Sequence, residues 1–213
     1  MVRRTKEEAE QTRRSILAAA RKTFHEQGVG NTSLEQIAQA AGLTRGAIYW
    51  HFANKEELFK AMRQEVTVPL ADRMDYTLLS DASTVPLERV RNFLVQFADL
   101  LSDNPCMRDT LEILNFKCEF VGDMQRDLAE YAVNCEECVA KLQHTYQAAQ
   151  RAGQLRAGLS PRIAAMDTLI FLTGLLRLRL LDVPSLQARR DINALIGAHI
   201  DSRRAAGDPV TRS

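Results

Sequence analysis

The stretch TRGAIYWHFANKEELF, Thr44–Phe59, crowds Tyr49, Trp50, His51 and Phe52 into four consecutive positions, with Arg45 ahead of them and Lys55 behind. Two helix starts are written into it. Thr44 is placed to cap a short helix ending near His51, in which Leu43 before the cap and Ile48 four residues in form a hydrophobic staple. Asn54 is placed to cap the next helix, with Glu57 completing a capping box. Just upstream, the capping box Ser33-x-x-Gln36 opens another short helix through Ala41, and Gly42 breaks the chain between the two. Short helices around a glycine turn are the pattern of a helix-turn-helix. Ala38, four before Gly42, is small enough to let the helices cross closely; Ile48, six beyond it, closes a small core with Leu34, Ile37 and Phe52. Each of these signals is weak alone, and together they are strong.

In such a unit the second helix enters the major groove of DNA. The expected DNA contacts are therefore Ser33, Thr44, Arg45, Gly46, Ala47, Tyr49, Trp50, His51 and Lys55. Arg45 is suited to bidentate bonding at a guanine edge, and Gly46 and Ala47 keep the helix slim enough to approach the bases. Thr44 both caps and meets the backbone. Tyr49 and His51 are expected to donate to phosphate oxygens, and Lys55 to anchor a phosphate at the amide-rich start of its helix. Phe52 reads as packing, and Trp50 is expected to lay its ring toward the first helix with its indole N–H outward. Arg3, Arg4 and Lys6 offer an arm for the adjacent groove, against the plainer reading of a solvated basic terminus.

Outward from this segment the whole chain reads as helix, because apolar residues recur at three- and four-residue spacings and no alternating strand pattern is flanked by hairpin turns. The fold class is all-α, with about nine helices. The first runs from Thr5 to Gln27 behind the capping box Thr5-x-x-Glu8 and stops at Gly28. The helix after Asn54 buries Leu58, Phe59, Met62 and Val66, and Pro69 is expected to kink or end it. Further helices are expected over 86–102, 105–118, 123–152, 160–181 and 185–203. The organisation read from this is a helix-turn-helix domain over 1–53, a larger helical domain over 54–204, and a disordered tail over 205–213.

The 213 residues carry a net charge of +1, which conceals an asymmetry. Residues 1–63 hold eleven Lys/Arg against seven Asp/Glu, and the remainder 17 against 20, so a basic front end of +4 is joined to a body of −3. No apolar run reaches the roughly 18 residues of a membrane span, since Arg177 and Arg179 interrupt the best candidate, and no signal peptide opens the chain. A cytoplasmic protein with four reduced cysteines and no membrane partner is expected.

These residues, over 5–60, resemble the TetR family of transcriptional regulators, whose signature TRGAIYWHFANKEELF is similar to. The start MVRRTKEEA and LEILNFKCEF, Leu111–Phe120, further resemble the AcrR- and TtgR-type repressors of multidrug efflux-pump operons within it. The resemblance implies nine or so helices, ligand binding and dimerisation by the larger domain over 54–204, a homodimer on a palindromic double-stranded operator, and release of the DNA when a hydrophobic small molecule enters that domain and moves the fourth helix. A regulator of a metabolic or stress operon stays open beside it.

The body carries its own signals. The helix 160–181 is apolar nearly all round over Leu169–Leu176, and Ile192, Leu195, Ile196, His199 and Ile200 form one stripe on the last helix. Pairing both helices with their symmetry mates gives a four-helix dimer interface; plain intrachain core is the alternative. For the ligand, isolated polar groups among apolar ones point to Val66, Leu111, Leu114, Asn115, Cys138, Leu142, Leu169, Leu172 and Thr173, each as compatible with a dry core as with ligand contact. Pro69 is a candidate hinge for the ligand signal. Cys135-x-x-Cys138 with His144 suggests zinc or a redox pair, but the pair lies in mid-helix and Glu136 and Glu137 between the thiols disfavour activation; no metal and no cofactor is expected. The competing classes are a helical enzyme, for which no catalytic motif is present, and an architectural DNA-binding protein without a ligand.

Overall fold

The computed structural model describes residues 6–119 and 125–206, the side chains of 125–127 excepted. Nine α-helices and no strand stand among the described residues: α1 (Lys6–Gln27), α2 (Leu34–Ala40), α3 (Arg45–His51), α4 (Lys55–Asp75), α5 (Pro86–Asp103), α6 (Pro105–Glu112), α7 (Gln125–Arg151), α8 (Pro161–Leu180) and α9 (Arg189–Asp201). Thr5, the arm residues Arg3 and Arg4, and 207–213 of the expected tail lie outside the described residues. Ala205, the first residue of that tail, donates to the Gln154 carbonyl at 2.8 Å.

The caps set the helix ends. Ser33 Oγ accepts from Gln36 N while Gln36 Oε1 accepts from Ser33 N, a reciprocal capping box, and Thr44 accepts from Ala47 N. At Asn54 the box is offset: Asn54 Oδ1 accepts from Glu57 N, but Glu57 Oε2 takes the N–H of Ala53 rather than that of Asn54. Gly42 has φ of 67°, and around it Leu43 N–H bonds Ala38 O and Gly42 N–H bonds Gln39 O, the pair of bonds that closes a helix in a left-handed turn. A Cβ there would strain the backbone.

Several elements differ from expectation. Pro69 does not end α4, which runs on to Asp75 and closes in a π turn, Tyr76–Ser80. The helix expected over 105–118 is α-helical only to Glu112; Ile113–Lys117 is a wider π turn, within which Asn115 Nδ2 reaches back to Leu111 O at 2.8 Å. The helix expected from Ser185 begins at Arg189, because Pro184–Leu186 forms a separate 3-10 turn and Gln187 Nε2 bonds the carbonyls of Arg179 and Val183. The segment 80–84 is ordered by Asp81, which accepts from Ser83 N and Oγ; those bonds hold its carboxyl below the usual carboxylate range.

The chain divides into two compact units, one of 1–69 with 104–128, the other of 70–103 with 129–213. In the first, Ile16, Leu17, Ala20 and Phe24 of α1 meet Leu34, Ile37, Ile48, Phe52, Leu58, Phe59 and Met62 in one buried cluster that also takes in Ile113. Phe24 and Phe59 meet edge to face with centroids 5.9 Å apart. Each such side chain fully withdrawn from water contributes roughly 1.5–3 kcal/mol. In the second unit Leu87, Val90 and Leu94 of α5, Leu142 and Tyr146 of α7, Ala164 and Ala165 of α8, and Ile192, Ile196 and Ile200 of α9 are buried. The α9 stripe is thus split: its three isoleucines are intrachain core, while Leu195 is exposed. On α8, Ile163, Met166, Ile170, Leu178 and the C-cap Leu181 are also exposed, so the helix is not covered on two sides within one chain.

Candidate nucleic-acid interface and ligand-binding residues

The interface is built on α3, seven residues long and fixed by one fully buried side chain, Ile48, beneath it. Helix phase decides what faces out. Trp50, two positions on, is rotated by about 200° from Ile48. It is 72% exposed, with its ring edge-on to that of His51 at 4.6 Å. The expectation that Trp50 packs toward the first helix is therefore corrected: Phe52 fills the buried position, and Arg13 of α1 lies over the Phe52 ring at 5.2 Å. His51 is half-buried between its two aromatic neighbours. Tyr49 is exposed on the outer side of α3, as are Thr44, Arg45 and Gly46, while Ala47 and Ser33 are half-buried. A Cβ added at Gly46 meets only open space, so the side of α3 at that position is bare backbone.

Arg45 is oriented before any ligand arrives. Its Nε lies 3.0 Å from Glu35 Oε1 of α2, and its guanidinium carbon sits 5.4 Å from the centre of the Tyr49 ring.

Lys55, expected at a phosphate, is bonded within the chain. Its ammonium donates to the carbonyls of Val29 at 2.8 Å, Thr32 at 3.0 Å and Gly30 at 3.4 Å, which matches its three protons to three acceptors in the turn between α1 and α2. Val29 in turn donates its N–H to Lys117 O at 2.9 Å. The start of α4 is thereby strapped to the turn that positions α2. Periodicity gives no hint of this, because a lysine at a helix start is exposed by default and the direction of three loop carbonyls has no sequence signature.

The residues expected at a ligand fall in both units. Val66, Leu111, Leu114 and Asn115 belong to the first, where Val66 and Leu111 are buried and Leu114 and Asn115 half-buried. Cys138, Leu142, Leu169, Leu172 and Thr173 belong to the second, where Cys138, Leu142 and Leu172 are buried and Leu169 and Thr173 half-buried. Both polar members bond their own helix, Asn115 to Leu111 O and Thr173 Oγ1 to Leu169 O. Burial pushes the Cys138 thiol up to about 11, with the neighbouring Cys135 adding to the shift and Lys141 opposing it. Cys138 is thus a poor nucleophile at neutral pH, through burial and the neighbouring Cys135 rather than through the adjacent glutamates expected to disfavour it.

Two cavities lie elsewhere. An open cleft of about 310 Å³ in the first unit is walled by Arg21, Lys22, His25, Glu26, Cys106 and Asp109, too polar for an apolar ligand. A narrow crevice in the second unit lies among Leu70, Met74, Phe93, Phe97 and Leu100, with Arg73 and Gln96 at its edge. This second group was missed in the sequence; the signal was the pairing of Leu70 with Met74 and Phe93 with Phe97, each four apart on facing helices.

Residues 16–62 match the family described as bacterial regulatory proteins, tetR family, and 85–204 the C-terminal region of MAATS-type transcriptional repressors. The chain is 36% identical over 204 residues to the HTH-type transcriptional regulator TtgR of Pseudomonas putida, covering 96% of this chain and 97% of that one. Among solved structures, NalD, the secondary repressor of the MexAB-OprM multidrug efflux pump in Pseudomonas aeruginosa, superposes with a TM-score of 0.81 at 31% identity over 95% of this chain and all of its own. SmeT, repressor of the Stenotrophomonas maltophilia pump SmeDEF, matches in its complex with triclosan with a TM-score of 0.80 at 29% identity, over 94% of this chain and 96% of that one.

Proposed function

Because this chain belongs to the TetR family of bacterial transcriptional regulators, we propose that it is a ligand-responsive repressor of a multidrug efflux-pump operon, released from its operator by a hydrophobic small molecule. One observation carries the DNA-binding part: Arg45, Tyr49 and Trp50 are exposed together on a capped helix whose opposite side is anchored by the fully buried Ile48. Arg45 reads a base edge, Gly46 and Ala47 let the helix approach, and Ser33, Thr44, Tyr49, Trp50 and His51 meet the backbone. Residues 1–53 form the reading domain and 54–204 the ligand-binding and dimerisation domain.

The efflux operon and the hydrophobic inducer rest on the names of the relatives, TtgR, NalD and the triclosan-bound SmeT, matched over nearly the full chain. Val66, Leu111, Leu114 and Asn115 in the first unit, and Cys138, Leu142, Leu169, Leu172 and Thr173 in the second, are the ligand-responsive residues of this reading. Dimerisation is supported by the row of exposed apolar side chains on α8 with Leu195 on α9. Two reading heads then face half-sites about 34–36 Å apart on a palindrome.

The test is a gel shift on the DNA upstream of the chain's own gene and of its neighbours, with and without triclosan, beside thermal unfolding with the same compound. Binding of the inducer raises the melting temperature and lowers operator affinity together, since the two events are linked. A compound series that stabilises the protein and leaves DNA binding untouched refutes the induction mechanism. A monomer by light scattering at micromolar concentration refutes the dimer.

A further inference from the structure

We infer that Glu35 is a positioning residue for Arg45, aiming the guanidinium at its base pair and so setting sequence discrimination. The inference rests on the base-reading role proposed above for Arg45. Arg45 is the first residue of α3, where unbonded backbone amides and the positive end of the helix disfavour a cation. An arginine there needs a negative or acceptor partner close by. Glu35 supplies one from the first turn of α2, a position that in its own helix favours a carboxylate. The two meet across the turn of the helix-turn-helix at 3.0 Å, Nε to Oε1.

The atom engaged is what matters. A guanidinium carries five N–H groups in a rigid planar fork, and a carboxylate held against its Nε edge leaves the two terminal nitrogens as the pair that fits guanine O6 and N7. Tyr49, one turn along α3, limits the remaining freedom with its ring 5.4 Å from the guanidinium carbon. Arginine is rich in rotamers, and a side chain ordered before binding loses less entropy when it binds. The pair itself adds little to stability, because both side chains are largely exposed, at 69% and 47%.

A purely electrostatic role predicts something else. A carboxylate close to DNA repels phosphates on every sequence, so its removal would tighten all duplexes by one factor. Positioning predicts a loss of the difference between sequences. The experiment measures Kd by fluorescence anisotropy on a duplex selected from a random pool by the wild-type chain and on a scrambled duplex of equal length. The ratio of the two Kd values is compared among wild type, Glu35→Gln, Glu35→Asp, Arg45→Ala and the Glu35→Gln/Arg45→Ala double variant.

Glu35→Gln is expected to hold or tighten the scrambled duplex while the ratio falls about fivefold, within the range of one base-edge contact. Glu35→Asp, which keeps the charge on a shorter stem, lowers the ratio similarly. In the Arg45→Ala background, Glu35→Gln lowers it no further. A Glu35→Gln variant that shifts both Kd values by the same factor overturns the inference, as does Glu35→Asp with the full ratio. Arg45→Ala with an intact ratio overturns the base-reading role itself and this inference with it; a ratio lowered by Arg45→Ala but not by Glu35→Gln strikes the inference alone.

Discussion

The α2–α3 region and the α7–α9 region handle polar side chains in opposite ways. Around α3 the polar and aromatic groups stand outside a small dry core: Arg45, Tyr49 and Trp50 are exposed while Ile37 and Ile48 are fully buried. In α7–α9 a chain of polar groups leads from the buried Tyr146 and Thr168 to the half-buried His199, and the buried Arg203 reaches the exposed Asp167. Tyr146 and Thr168 hydroxyls meet at 2.7 Å, Thr168 Oγ1 and His199 Nε2 at 3.1 Å, and Arg203 joins Asp167. A partner as large as DNA reads a surface, so its contacts are spare polar groups with no fold to support. A small apolar ligand is held by the same side chains that make a core, and burial alone does not separate the two uses.

The comparison breaks first at the core of the head. Phe59→Ala removes a fully buried ring that meets Phe24 edge to face, and is expected to destabilise the chain by about 3–5 kcal/mol in denaturant unfolding and to abolish DNA binding. A loss under about 1 kcal/mol would mean that the head core is not the close-packed support described above.

Lys55→Met ranks next. It removes the ammonium from the carbonyls of Val29, Gly30 and Thr32, leaving Val29 O with only the longer bond from Thr32 N at 3.4 Å, at an expected cost of about 1–3 kcal/mol. DNA affinity falls on all sequences, yet the slope of log affinity against log salt stays at the wild-type value, because no phosphate contact is lost. A phosphate-anchoring lysine would instead reduce that slope by about 0.9. The measurement therefore decides whether Lys55 belongs to the exposed reading surface or to the bonded interior.

In the body, the half-buried His199 ring stacks on Phe171 at 4.0 Å. Burial first, and then the Arg203 guanidinium, push its pKa down to about 4 against the opposing pull of Asp167. The unfolded chain, near the ordinary value of about 6.5, binds the proton more readily. The stability this neutral ring confers is full above pH 6.5 and is lost as the pH falls toward 4, by about 1 kcal/mol once solvent screening of the half-buried ring is allowed for. His199→Asn should flatten that part of the stability–pH profile; an unchanged profile would assign the acid sensitivity elsewhere.

Where the sequence was legible follows from the same contrast. Ser33, Thr44 and Gly42 act through local backbone bonds, so their roles can be read from spacing, and the phase of Ile48 set the outward side of α3 for Arg45 and Tyr49. Trp50 departs from expectation because its rotation of about 200° from Ile48 along the helix turns it outward. The strap from Lys55 to the turn 26 residues earlier is invisible, since it depends on where three carbonyls point. The π turns at Tyr76–Ser80 and Ile113–Lys117 likewise have apolar spacings that suit an ordinary helix. The crevice lined by Phe93 and Phe97 has the composition of any core, so its four-residue pairings alone do not set it apart.

Trp50→Ala gives the smallest change in stability and the sharpest separation of the two regions. A side chain 72% exposed, with its ring edge-on to that of His51, supports little of the fold, so the unfolding free energy should move by no more than about 0.5 kcal/mol. Its exposure beside Arg45 and Tyr49 on α3 fits the DNA contact proposed for it. DNA affinity should therefore fall several-fold while the melting curve stays in place, a pattern opposite to that of Phe59→Ala, in which stability and binding fail together. Unchanged affinity would remove Trp50 from the interface and leave α3 reading DNA through Arg45 and Tyr49 alone.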